Sequence, residues 1–351
     1  MPTGSKDPDV LLAWLLDSMG LVRRKSEGMS IDDEQGALHR LIRETLLSEP
    51  LKGWDTKSLG DVSGLSQNGM HHQLVKLRES GLVAAETEGR WHIHVLRGGS
   101  ISAAVDLVSV QARAILDLRL SEVAEMVTES DDRMVIPSEE RGGGFQIEIA
   151  EPGATIEGED RLDALMRDLG LNGERSKHND RLARQLFEQI SSSRRAMTLL
   201  ALADKTGDSR SRVQRAVERM RAAGIAERVP MLDRIAQDVY AGLMRQHDAR
   251  GEEWLMTRGG LGRLDESVSK SLIAGVRKKS LNIEKVQDIL APVPLDAQRV
   301  LLNTLGGRMP YGIRISGRDG AAVKERVMRQ ADRTLRRLRT VAQRLDESLA
   351  S

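Results

Sequence analysis

The chain has 351 residues and a formal charge of +1, from 53 Lys and Arg against 52 Asp and Glu. That length suits two or three domains, and 40% hydrophobic with 30% charged residues fits a folded soluble chain rather than a disordered one. Zero cysteines exclude a disulfide framework, a thiolate metal site and a cysteine nucleophile, and fit a reducing, cytoplasmic setting.

In chain order, Val10-Leu11-Leu12-Ala13-Trp14-Leu15-Leu16 lies between Asp9 and Asp17. It is too short to cross a bilayer and lacks a signal-peptide cleavage pattern. It reads as a packed helix or a partner-docking segment, within an N-terminal piece (1–33) that ends in a polar linker. In 34–100, Leu38, Leu41, Ile42, Thr45 and Leu46 recur at helical spacing up to Pro50. Thr56 can cap a short helix that Gly64 ends, and Ser66 can cap a third helix stopped by Gly81. Leu82–Ala85 and Arg90–Leu96 then read as two strands around Glu88-Gly89.

In 101–180, a long helix (101–128) carries the apolar stripe Val105, Val108, Ala112, Ile115, Leu116, Leu120, Val123 and Val127. An acidic stretch follows, where Phe145, Ile147 and Ile149 alternate as in a β-hairpin appendage and could meet a protein partner. Residues 181–264 repeat the helix, helix, helix plan, with Gly207 before Ser209 and Gly224 closing the third helix. The run Glu252–Gly260, with Trp254-Leu255-Met256-Thr257, is expected to supply this module's strand. A mixed segment (265–319) and a basic helix (320–351) complete the chain.

Charge is unevenly spread: −2 over residues 1–100, −10 over 101–180 and +13 over 181–351. A basic half of this kind points to a polyanion. Four Trp, two Tyr and two Phe leave little for base-stacking platforms.

The stretch Leu65-Ser66-Gln67-Asn68-Gly69-Met70-His71-His72-Gln73-Leu74-Val75-Lys76-Leu77-Arg78-Glu79-Ser80-Gly81-Leu82-Val83 resembles the recognition helix of ArsR/MarR-type winged helix-turn-helix regulators, and 181–264 resembles it more weakly. The resemblance implies a mostly α protein with small β-hairpins: tandem winged helix-turn-helix modules joined by a long helix. It also implies double-stranded DNA as the partner, because a helix N-terminus can reach base edges in the major groove.

The side chains offered are Ser66, Gln67, Asn68, His71, His72, Gln73 and Lys76 in the first module. The second offers Ser209, Arg210, Ser211, Arg212, Gln214, Arg215 and Arg219, with Val213, Ala216, Val217 and Met220 turned inward. In the last helix, Met328, Ala331, Leu335, Leu338, Ala342, Leu345 and Leu349 follow a heptad, a seam expected to make a homodimer, with packing onto the chain's own body as the alternative that its two alanines leave open. The function expected is DNA-binding transcriptional regulation. The alternative is a winged-helix interaction scaffold such as a chromosome-segregation adaptor. No cofactor, metal or enzymatic activity is expected, since no nucleophile–base pairing or phosphate loop is recognisable.

Overall fold

The computed structural model describes residues 4–22, 33–89, 91–136, 138, 144–151, 160–173 and 180–351. The chain is mostly helical, with two small antiparallel sheets. Helix α1 (Pro8–Ser18) starts at Asp7, whose carboxylate accepts from the amide of Asp9, and α2 (Asp33–Leu41) continues into a wider turn at Ile42–Leu46. Strand β1 (Trp54–Asp55) leads into α3 (Thr56–Ser63), where Asp55 rather than Thr56 is the cap: it accepts from the amides of Lys57 and Ser58. Gly64, at φ 73, ends α3, and Ser66 caps α4 (Gln67–Glu79) by accepting from the Gly69 amide. Strands β2 (Val83–Glu88) and β3 (Trp91–Leu96) form a hairpin, and β1 adds to β3, giving the order β1-β3-β2. The long helix α5 (Ile101–Glu125) follows.

Helices α6 (Arg161–Asp168) and α7 (Leu182–Ser192) open the second half. Thr198 caps α8 (Leu199–Thr206), Gly207 ends it at φ 67, and Ser209 caps α9 (Arg210–Ala222). Strand β4 (Ala226–Pro230) comes next, followed by α10 (Leu232–Thr257, kinked at Gly251), α11 (Glu266–Arg277), α12 (Ile283–Leu290) and α13 (Leu295–Thr304). Only then does β5 (Tyr311–Ile315) return to pair with β4, ahead of α14 (Gly320–Ala350).

The two halves share one plan. The interval from Asp55 to Thr198 is 143 residues, and the same interval separates Gly64 from Gly207, Ser66 from Ser209 and Gly81 from Gly224. It also separates Trp54, which pairs with β3, from Met197, which bridges to Ile313 on β5. Met197, β5 and β4 therefore repeat the order β1-β3-β2, and a long helix follows the last strand in both halves.

The chain divides into two compact units. The first comprises residues 1–120, 149–151 and 327–351; the second comprises 121–148 and 152–326. The first unit's core joins Leu11, Leu12, Leu15 and Leu16 of α1 to Leu59, Leu74, Leu77 and, from α14, Leu338, Val341, Ala342 and Leu345. Within the second unit, α10 to α13 hold a core of their own, from Ile235 and Leu243 to Leu301 and Leu305. Among the described residues, no helix is long and apolar enough to cross a membrane.

Several expectations are corrected. Glu252–Gly260 is not a strand: it lies mostly in α10, where Leu255 is fully buried in the core of α10 to α13, the helices inserted between β4 and β5. The partner of β4 is β5, within the segment read as mixed. The heptad seam of α14 does not face outward. Met328, Ala331, Leu338, Ala342 and Leu345 are buried, and Leu335 and Leu349 pack on the first core, so these seven are taken up by the chain's own body. The acidic hairpin is absent among the described residues: 144–151 contain no strand, and the Gln146 amide instead donates to the carbonyl of Ala222 at the end of α9. A helix's last carbonyls lack partners within the helix, which gives Gln146 that place. The Val10–Leu16 run, by contrast, is the packed helix that one of its two readings expected, with Leu11, Leu12, Leu15 and Leu16 buried and Val10 exposed. The linker at 23–32, Gly142 and Gly143 lie outside the described residues.

Candidate nucleic-acid interface

Helix α4 has one apolar face, Met70, Leu74 and Leu77, which fixes what it shows to solvent. Gln67, Asn68, His71 and His72 are exposed and lie within two turns of its N-terminus. Ser66 is exposed too, but its hydroxyl is engaged as the cap. Lys76 is half-buried. Gln73 is buried, and its Oε1 has no hydrogen-bond partner among the described residues, so it belongs to the interior and not to the readout set. Across the sheet, Trp54 sits opposite His94, and Trp54 Nε1 and His94 Nδ1 are likewise buried without hydrogen-bond partners among the described residues. Burial holds the His94 imidazole below its usual range, with Arg78 and His92 acting in the same direction. The four histidines His71, His72, His92 and His94 make no metal cluster, and none is found among the described residues.

Helix α9 repeats this arrangement with different chemistry. Val213, Ala216, Val217 and Met220 are buried, as expected, and Ser209, Arg210, Ser211, Arg212, Gln214 and Arg215 are exposed. The exposed positions Arg210, Ser211, Gln214 and Arg215 correspond, at the 143-residue interval, to Gln67, Asn68, His71 and His72. The face is more balanced than its composition suggests. Arg212 is clamped between Asp180 (2.8 Å) and Asp208 (2.7 Å), which hold its guanidinium more firmly protonated, and Arg221 pairs with Glu218 at 2.6 Å.

Arg219 is a strut. Its Nε donates to the carbonyl of Leu171 at 2.8 Å and its Nη2 to that of Asn172 at 3.0 Å, while burial lowers its proton affinity. A Cβ at Gly173 would come within 2.9 Å of its Cζ, so the loop is shaped around this side chain. Arg210 and Arg215 thus remain the outward cations of α9, with Arg215 Nε donating to the carbonyl of Ser211 at 3.3 Å.

Two buried charge centres, neither visible as a sequence motif, hold the second module in shape. Glu227 on β4 faces Arg314 on β5 at 2.7 Å and also pairs with Arg326 of α14. Arg314 further donates to the carbonyl of Ile136 at 2.7 Å. Arg133 is 2% exposed; its guanidinium donates to the carbonyls of Thr128 and Ser191, both at 2.6 Å, and to those of Ser193 and Arg318. A cation here meets the carbonyl end of α7, which a helix dipole favours. Across the β4–β5 pair, Arg228 stacks over the Tyr311 ring at 3.7 Å.

No family model, curated protein or solved structure matches the chain.

Proposed function

We propose that the chain is a DNA-binding regulator built from two winged helix-turn-helix modules, with α9 as the principal major-groove reader and α4 as a second. The observation that carries this reading is the repeated unit itself. A short helix, a Gly-x-Ser turn (Gly64-Leu65-Ser66 and Gly207-Asp208-Ser209) and a 13-residue helix are followed by an antiparallel pair, with the third helix's N-terminal turns exposed each time. Arg210 and Arg215 offer fork-shaped donors to guanine or phosphate, and Gln214 offers paired donor and acceptor to adenine. In this reading the hairpin β4–β5 is a wing whose tip has been opened to receive α10 to α13.

The test is retention of random duplex in an electrophoretic shift across a salt series. Retention at low salt that falls steeply by moderate salt is expected, because phosphate contacts release counterions. Absence of retention at low salt contradicts it. The scaffold reading draws support from the first module, where the first two turns of α4 carry no arginine and the hairpin carries exposed Glu86. A variant confined to α4 that leaves DNA retention unchanged would assign that module to protein contact.

A further inference from the structure

Helix α5 buries Val105, Leu116 and Leu120, yet it also exposes a second apolar stripe: Leu107 (43% exposed), Val110 (62%), Ala114 and Leu118 (53%), with half-buried Ala103 one turn ahead. These fall at steps of four, three, four and four, the spacing of a helix–helix seam. Leu51, 83% exposed, extends the stripe, since its Cδ2 would lie 2.8 Å from a Cβ at Gly99, just before the helix begins. An apolar row of this length on a surface helix marks a contact surface.

The fold does not require the stripe. Helix α14 occupies the same place after β5 that α5 occupies after β3, and the matching positions, counted from Gly320 and Ile101, are Arg326, Arg329, Arg333 and Arg337. One copy of the duplicated helix carries arginines where the other carries leucine, valine and alanine.

We infer that α5 is the site at which two copies of this chain pair, antiparallel, along Leu107, Val110 and Ala114. The occupant follows from charge. When Leu107 meets Val110 of the second copy, Ala103 meets Ala114 of the second copy, and Asp106 flanks Arg113 of the second copy, twice by symmetry. Leu118 is then brought to the Gly99 and Leu51 end of the second copy. A parallel pairing would instead set Asp106 beside Gln111 of the second copy and Arg113 beside Leu118 of the second copy, with no opposite charge to meet. Within its own chain Asp106 pairs with Arg339 and Arg113 with Asp332, each at 3.0 Å, but the Asp106 and Arg113 side chains stay 52% and 58% exposed, open to a second partner. This interface stands apart from the DNA reading, since a dimer can form whether or not α9 touches DNA.

The test uses the full chain in sedimentation equilibrium, with thermal unfolding as a check on the fold. The wild type sediments at twice the 38.8 kDa chain mass, and Val110→Glu sediments as a monomer that keeps a cooperative unfolding transition. Asp106→Arg and Arg113→Asp each weaken the dimer, and the two combined restore it. Because the chain has no cysteine, Leu107→Cys and Val110→Cys are unique thiols. Mixed together and oxidised, they form more disulfide dimer than either alone. A wild type that stays monomeric at high concentration, a Val110→Glu chain that still dimerises, a charge swap without recovery, or thiols that join mainly like to like would each overturn the proposal.

Discussion

The amide of Met231 donates to the carbonyl of Pro310 at 3.0 Å, although α10 to α13 lie between them in sequence. That bond extends the β4–β5 ladder by one step and closes the foot of the insertion, which holds its own core. Chain ends that meet in this way are where inserted domains are tolerated. Replacing residues 232–309 by Asn-Gly should therefore leave the second module folded, because that pair suits a two-residue hairpin turn. Circular dichroism should keep a cooperative unfolding transition. Its loss would mean that the insertion is part of the module's core.

Arg133→Met is expected to destabilise the second unit by about 3 kcal/mol or more, since it leaves buried carbonyls at Thr128, Ser191 and Ser193 without donors. Arg133→Lys should recover little of this, because an ammonium cannot reproduce the planar fork. Chemical denaturation of both variants checks the ranking.

Glu227→Gln removes the carboxylate between Arg314 and Arg326 and leaves two cations close together, one of them buried. A loss of about 3–5 kcal/mol is expected, the usual cost of breaking a buried pair from one side. Glu227→Gln combined with Arg314→Met should lose less than Glu227→Gln alone, and a double variant no more stable than the single would contradict this.

What the sequence discloses here is local. Gly64, Ser66, Gly207 and Ser209 punctuate helices wherever they fold, so α3, α4, α8 and α9 were legible from caps and periodicity alone. Tyr311–Ile315 was not, because its pairing with β4 spans the whole insertion, while the nearer run Trp254–Thr257 has strand-like composition but packs Leu255 into a helical core. The heptad on α14 was real as a pattern, yet periodicity does not say whether a seam meets its own chain or another. The same limit hid Asp180 and Asp208, which approach Arg212 from outside α9.

His94 gives the first unit a pH dependence. Its folded-state proton affinity is lowered by burial, so below the ordinary value of 6.5 the unfolded chain takes up a proton that the folded chain resists. Stability from this group is complete above 6.5 and is lost as pH falls below it toward the folded value. Urea midpoints measured between about pH 8 and pH 5 should decline in that window, and His94→Leu should flatten the decline. A midpoint that rises on acidification would contradict the assignment.

The claim that α9 meets DNA is tested most directly by the salt dependence of affinity for duplex in Arg210→Ala/Arg215→Ala. Both side chains are exposed and lie outside the module's core, so the fold should survive the change. Fluorescence anisotropy should show weaker binding, with a slope of log affinity against log salt shallower by about two, one for each phosphate no longer neutralised. Affinity and slope equal to those of the wild type would place the DNA contact elsewhere on the chain.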